Sequence, residues 1–205
     1  MRDRDLVRLH WPRELRPAFD ALLAIDDAMA SVVQQATQPA LAAIKLAWWR
    51  EALEKLDHAP PPAEPRLQAA AAELLSRGIR GAELAKLEQG WAALLQPDVD
   101  AAAVAHRGVI LYGLLARLLG VAPPRDEHGM LFALIDAARR GQPIRADQAG
   151  PLVAAARSKR SPRSLRPLTG LSVLAARDAL QDGPLEPEAT PGRSWALLRH
   201  RFTGR

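Results

Sequence analysis

The sequence contains no cysteine. That absence removes disulfides, thiolate metal sites and cysteine nucleophiles together, and it fits a reducing compartment. Aromatic residues are scarce at 4%, with one tyrosine and three phenylalanines. Alanine must therefore fill much of the interior, a balance that favours helices with closely approaching axes. No long apolar run is present either. The longest window, "GVILYGLLARLLGVAPP" at 108–124, carries Arg117 and stops at paired prolines, so it reads as a buried core helix and not as a bilayer span. The charged opening "MRDRDLVRLHWPREL" lacks the apolar stretch of a secretion signal, and a cytoplasmic location is expected. Phosphate-cradling glycine loops and the GxSxG context of a serine nucleophile are missing too. His10, His58, His106, His128 and His200 are scattered without HxxxH or HExxH spacing, so no metal role is expected of them.

What remains is ordinary for a globular chain: 205 residues, 48% hydrophobic and 25% charged, enough for one domain. Periodicity favours helix almost throughout. Behind Pro17, the residues Phe19, Leu22, Leu23, Met29 and Val33 recur at three- and four-residue intervals to about Ala36. Thr37 has the chemistry of an N-cap with Pro39 in the first turn, and Leu41, Ile44, Trp48, Ala52 and Leu56 then define one expected face. These two helices are expected to form an antiparallel hairpin. "HAPPPAEP" at 58–65 must be a loop. Further helices are expected at about 66–77, 81–95, 98–119, 126–140, 147–158, 163–180 and 193–202. No alternating β-branched run competes with them. The expectation is an all-α, single-domain bundle over residues 1–205.

At "LAWWREAL" (46–53), taken with "DRDLVRLHWPRELRPAFDALLAID" (3–26), the chain resembles the squalene/phytoene synthase family of all-α isoprenoid synthases. The likeness is to the branch of bacterial members and of the mitochondrial complex I assembly factor. Leu15, Arg16, Pro17 and Ala18 stand in that branch's "LRPAL"-like stretch. Gln38 and Pro39 form its turn, and the run from Ile44 through Trp48, Trp49 and Arg50 to Leu53 its "IRLQWWRDAL"-like helix. "ARRGQPIRADQ" (138–148) and "LRPLTGLSVLAARDAL" (165–180) follow in the family's order. The resemblance implies a truncated isoprenoid-synthase bundle.

Catalytic members of that family hold magnesium ions on two aspartate-rich motifs, and the ions bind the diphosphate of a prenyl donor. Such a motif needs carboxylates at i and i+4, one turn apart on one helix face, because magnesium takes hard oxygen ligands in tight octahedral geometry. The candidates here are Asp26 and Asp27. Four residues beyond them stand Ala30 and Ser31. In the preferred register the first motif falls on "ASVVQ" (30–34), and the second falls near Ala133 and Ala137 with Asp136 beside them. Asp26 and Asp27, about 100° apart around a helix, are expected not to face one cavity jointly, and to be solvated or locally paired. No metal site and no cofactor are therefore expected; Mg²⁺ would enter only with a catalytic reading.

Trp48 is expected in the hairpin core with Trp49 covering its edge, the alternative being that both line a remnant prenyl pocket. Arg50 is expected to pair with Glu54, four residues on. From Arg139 to Arg166 eight cations (Arg139, Arg140, Arg145, Arg157, Lys159, Arg160, Arg163, Arg166) face a single acid, Asp147. This run is a candidate for anionic lipid headgroups, an acidic protein surface or a leftover diphosphate. Nucleic acid is not expected, since interleaved aromatics and binding motifs are absent. The resemblance without metal ligands implies a non-catalytic scaffold or assembly factor, specifically for respiratory complex I, at the inner face of the cytoplasmic membrane. A magnesium-dependent head-to-head prenyltransferase and a non-catalytic isoprenoid or lipid binder are the alternatives.

Overall fold

Proline and alanine set the architecture. Six helices carry a proline at their first or second position, at residues 17, 39, 65, 151, 167 and 191, where its fixed φ suits a helix and its missing N–H costs nothing. The computed structural model describes residues 1–144, 149–181 and 183–205. Among them it is all-helical, 70% helix with no strands. The helices are α1 (Asp3–Arg8), α2 (Arg16–Gln34), α3 (Pro39–Lys55), α4 (Pro65–Glu73), α5 (Gly81–Ala85), α6 (Leu87–Ala92), α7 (Ala101–Leu118), α8 (Asp126–Arg139), α9 (Gly150–Arg157), α10 (Arg166–Ala179) and α11 (Pro191–Thr203).

Most expected helices are present within a few residues, with three departures. The N-terminal helix α1 was not foreseen; Asp5 accepts from the Arg2 backbone N–H at 2.6 Å and so caps its first turn. The span 81–95 breaks into α5, α6 and a 3₁₀ turn, Ala93–Leu95. The start of α5 passes close to α3, where a Cβ on Gly81 would stand 2.0 Å from the Leu53 carbonyl oxygen, and just beyond α3 Asp57 accepts from the N–H groups of Gly81 at 2.5 Å and Ala82 at 3.0 Å. The N-cap of α3 is Gln38 instead of Thr37. The expected start of the helix at 147 lies outside the described residues.

α2 and α3 touch, but α3 packs chiefly on α5 and α2 chiefly on α4. The face that α3 buries comprises Ala42, Leu46, Trp49, Ala52 and Leu53. Leu41, Ile44 and Trp48, expected inside, are 47%, 66% and 47% exposed. The reason is rotational: Leu46, Trp49 and Leu53 continue the stripe of Ala42 at three- and four-residue steps, and the packing of α5 and α6 selects that stripe over its neighbour.

The main apolar core draws on residues from Leu6 to Leu197 and is centred on Phe19, Leu22, Met29, Trp91, Tyr112 and Leu115. α7 and α8 form its closest helix pair. By length and composition α7 could cross a bilayer, with mean hydropathy 1.3, but 56% of that window is buried in the bundle. The two axes approach so nearly that a Cβ on Gly108 would stand 1.9 Å from the Gly129 carbonyl oxygen, and one on Gly129 would stand 2.4 Å from that of Gly108. Alanines 133 and 137 continue the seam, both fully buried. α11 closes the bundle against α1 and α10, burying His200, whose Nε2 lies 2.8 Å from Thr169 Oγ1.

Two outcomes follow for stability. Gly108→Ala forces backbone apart and should cost about 2–3 kcal/mol, within the range for overpacked cores, read as a lower urea midpoint. The second concerns pH. Burial, then Arg166, His128 and His10, push the His200 pKa down to about 4. A base depressed on folding gives full stability above its unfolded pKa of ~6.5 and loses it as pH falls, by about 1.4 kcal/mol per unit, or ~3 kcal/mol by pH 4. In His200→Gln the slope between pH 6.5 and 4 should flatten by most of that amount; an unchanged slope would exclude this assignment.

Candidate functional site

Asp26 lies in the middle of α2, pointing inward at 3% exposure. A carboxylate cannot remain charged there without compensation. The compensation is Arg107 of α7, whose Nη1 donates to Asp26 Oδ1 at 2.8 Å and to Oδ2 at 2.6 Å. Trp91 Nε1 on α6 donates to the same Oδ1 at 2.8 Å. The Arg107 guanidinium also lies over the Trp91 ring, 3.9 Å from its centroid, a cation–π contact strengthened by desolvation. Gly90 makes room for it, since a Cβ there would come within 2.4 Å of Arg107 Cβ.

From Arg107 the charges continue to α8. Arg107 Nη2 donates to Asp136 Oδ2 at 3.1 Å and to the Ala133 carbonyl at 3.3 Å. Asp136 Oδ1 accepts from Arg140 Nε at 3.0 Å, and Arg140 Nη2 donates to Asp27 Oδ1 at 2.8 Å. The second oxygen of Asp27 meets Arg2 Nη1 at 3.0 Å and also Arg4. Burial opposes the charge on Arg140, yet Asp136 and Asp27 hold its pKa above the ordinary guanidinium value.

A second chain of pairs lies beside the first. Asp178 of α10 accepts from Arg139 Nε at 2.6 Å and Nη2 at 2.8 Å, and from both terminal nitrogens of Arg193 on α11. Arg193, 1% exposed, also donates from Nε to both oxygens of Asp3 at 2.8 Å. Burial would raise the Asp178 pKa, but the bonds from Arg139 and Arg193 outweigh it and hold the group below the usual carboxylate range.

Members of both chains of pairs, though not Arg107, line one cavity of about 80 Å³, walled on its apolar side by Leu23, Phe132, Ile135, Leu171 and Leu174. That space suits a few water molecules and is far below the ~300–1,000 Å³ of ordinary ligand sites. Asp26 and Asp27 do share this cavity, which corrects the expectation that they could not, because Arg140 and Asp136 bridge the angle between them. Asp26 is buried, the Asp27 side chain is 20% exposed, and neither pairs locally: their partners lie on α6, α7, the α8 end and the N-terminal segment. The residues do not fit magnesium. Each of these aspartates already receives a guanidinium, whose fixed donors and positive charge oppose a divalent cation in the same place. Among the described residues no cluster of three or more His, Asp or Glu side chains has metal-binding geometry.

The other sequence candidates lie elsewhere. Trp49 is buried at 7% and Trp48 is the exposed one, reversing the expected roles; their rings meet edge to face at 5.2 Å. Neither lines the central cavity. Arg50 is exposed and forms no ion pair with Glu54 among the described residues; it lies near Glu88, whose carboxyl burial pushes up against the pull of Arg50. Arg139 and Arg140 turn inward as described. Arg166 caps the end of α11 by donating to the Arg201 and Phe202 carbonyls at 2.9 and 3.0 Å. Arg157, Lys159, Arg160 and Arg163 are exposed. Arg145 lies outside the described residues. The residues that sequence reasoning missed are Arg107, Arg193, Asp3 and Asp178. Arg107 left one signal, a lone cation between alanines and "GVILYGLL", where a charge with helical neighbours on every side must find a buried partner. No family model, characterised protein or solved structure matches the chain.

The buried pair should behave as a unit. Arg107→Met strands the Asp26 carboxylate and should cost about 3–5 kcal/mol. Asp26→Asn combined with Arg107→Met removes the stranded charge while keeping an acceptor for Trp91, and should recover about 2 kcal/mol or more of that loss. Denaturant melts of the two single variants and the double variant check this; strictly additive costs would contradict the coupling.

Proposed function

We propose that this chain is a non-catalytic relative of the squalene/phytoene synthases that works through its surface, as a scaffold or assembly factor, with respiratory complex I as the specific target. The observation carrying this reading is the exchange of counterions in the central cavity. Where a prenyl synthase needs carboxylates open to magnesium, Asp26, Asp27 and Asp136 are neutralised by Arg107, Arg140, Arg2 and Arg4. Without metal, a diphosphate leaving group loses the divalent charge that stabilises its departure, and the arginines here are already engaged by carboxylates. The small cavity also speaks against an isoprenoid held at the bundle centre.

The reading further draws support from the ridge of Leu41, Ile44 and Trp48 along the outer side of α3. Apolar side chains at three- and four-residue steps that leave the core unserved are the anchors of a helix-packing interface. The exposed cations Arg157, Lys159, Arg160 and Arg163 suit peripheral attachment to the inner face of the cytoplasmic membrane.

Calorimetry with magnesium and farnesyl or geranylgeranyl diphosphate should give no metal-dependent binding and no turnover. In cells, deletion should lower complex I levels. Asp27→Asn, which removes an oxygen a metal would need, should restore them, whereas Ile44→Glu with Trp48→Glu should not. Magnesium-dependent turnover would replace this reading with a prenyltransferase; unchanged complex I on deletion would remove the specific target.

A further inference from the structure

Away from the aspartate–arginine cavity, α9, α10 and α11 enclose a larger cleft of about 520 Å³, within the range of small-molecule sites. Its walls are apolar: Ala156 from α9, Val173, Ala176 and Leu180 along and just beyond α10, and Trp195 and Ala196 from α11. Its mouth is cationic, with Arg157, Lys159, Arg177, Arg199 and Arg205, and among the described residues no carboxylate lines it. Among the described residues Arg177 is the one of these with a defined acidic partner, Glu186, at 2.8 Å.

The cleft floor holds an unsatisfied polar atom. His200 is 1% exposed and lines the cleft. Its Nε2 lies 2.8 Å from Thr169 Oγ1, and that hydroxyl donates to the Leu165 carbonyl at 3.1 Å. The other ring nitrogen, Nδ1, is buried with no hydrogen-bond partner. Such a group calls for a polar partner from whatever fills the space. Beside the mouth, Trp195 and Phe202 stand 70% and 76% exposed with Leu198 between them, one turn-spaced stripe on a helix with no acidic residue from Pro191 to Arg205. A basic helix with such a stripe has the composition of an interfacial one.

We propose that this cleft binds the phosphate-bearing end of an amphiphile. The phosphate sits among Arg157, Lys159, Arg199 and Arg205, a hydroxyl of the headgroup pairs with His200 Nδ1, and the apolar chain runs along Val173, Leu180 and Trp195. The phosphate chemistry is the same whether the molecule arrives as a monomer or is drawn from a bilayer. The inference shares Arg157 and Lys159 with the membrane attachment proposed above but does not rest on the scaffold role or the central cavity, and the scaffold role can fail without it.

Titration of the full chain with monomeric lysophosphatidic acid, against lysophosphatidylcholine of the same chain length, separates anion recognition from grease. The acid should bind about tenfold or more tightly, since each cation near a phosphate is worth roughly fivefold. Lys159→Glu with Arg199→Glu should abolish that preference at unchanged Tm, and Trp195→Ala should weaken both lipids; Trp48→Ala on α3 should change neither. Sedimentation with phosphatidylcholine vesicles, with and without phosphatidylglycerol, identifies the source. Binding to anionic vesicles that the charge-reversed variant loses, without binding of monomers, assigns the site to a bilayer headgroup. Equal affinity for the two lysolipids, inorganic phosphate binding as tightly as the lysolipid, or no binding in either arm would overturn the proposal.

Discussion

A full positive charge buried in an alanine-rich bundle is the constraint around which this protein is arranged. Arg107 is 1% exposed at the centre of α7, and guanidinium does not shed its proton to escape burial. The surroundings must therefore supply anions and acceptors from fixed directions. Asp26 gives two oxygens, Asp136 one, the Ala133 carbonyl another, and the Trp91 ring a negative face. These partners come from α2, α6 and α8, so the register of three helices against α7 is set by one side chain. Hydrophobic packing alone, with alanine on so many faces, would discriminate poorly between neighbouring registers. The single side-chain atom left over, Nε, has no partner, so the satisfaction of this group is dense without being complete.

Guanidinium and a divalent ion solve the same electrostatic problem differently. A metal gathers carboxylates into a small shell and leaves coordination positions open to substrate. Arginine carries its own volume and consumes donors and acceptors in planar pairs, which closes the space it neutralises. The central cavity of about 80 Å³ is the geometric result. The larger open space among the described residues lies outward, in the cleft of about 520 Å³ bounded by α9, α10 and α11, and the exposed apolar ridge lies on α3.

The all-helical class was legible because periodicity, proline placement and glycine stops are local signals. Pro17 and Pro39 each mark a helix start that the structure reproduces. Which face of a helix turns inward was less legible. On α3 two apolar stripes compete, one through Ile44 and Trp48 and one through Leu46, Trp49 and Leu53. Local pattern cannot choose between them, because the choice is made by α5 and α6, some thirty residues on. The same limit applied to the site. Asp26 and Asp27 were visible, but their counterions stand 81 and 113 residues away, and nothing in the spacing of acids along α2 encodes an arginine on α7. The basic run from Arg139 to Arg166 misled in the opposite direction: read as a surface, it contains two arginines that the fold takes inside.

The contact between Asp3 and Arg193 joins residues 190 positions apart. During synthesis on the ribosome α1 emerges long before α11, and its buried acid waits for 190 further residues before its guanidinium partner exists. α1 is thus secured only once α11 has left the exit tunnel, and until then the nascent chain exposes the apolar undersides of α1 and α10 that α11 covers, surfaces that a chaperone would be expected to shield.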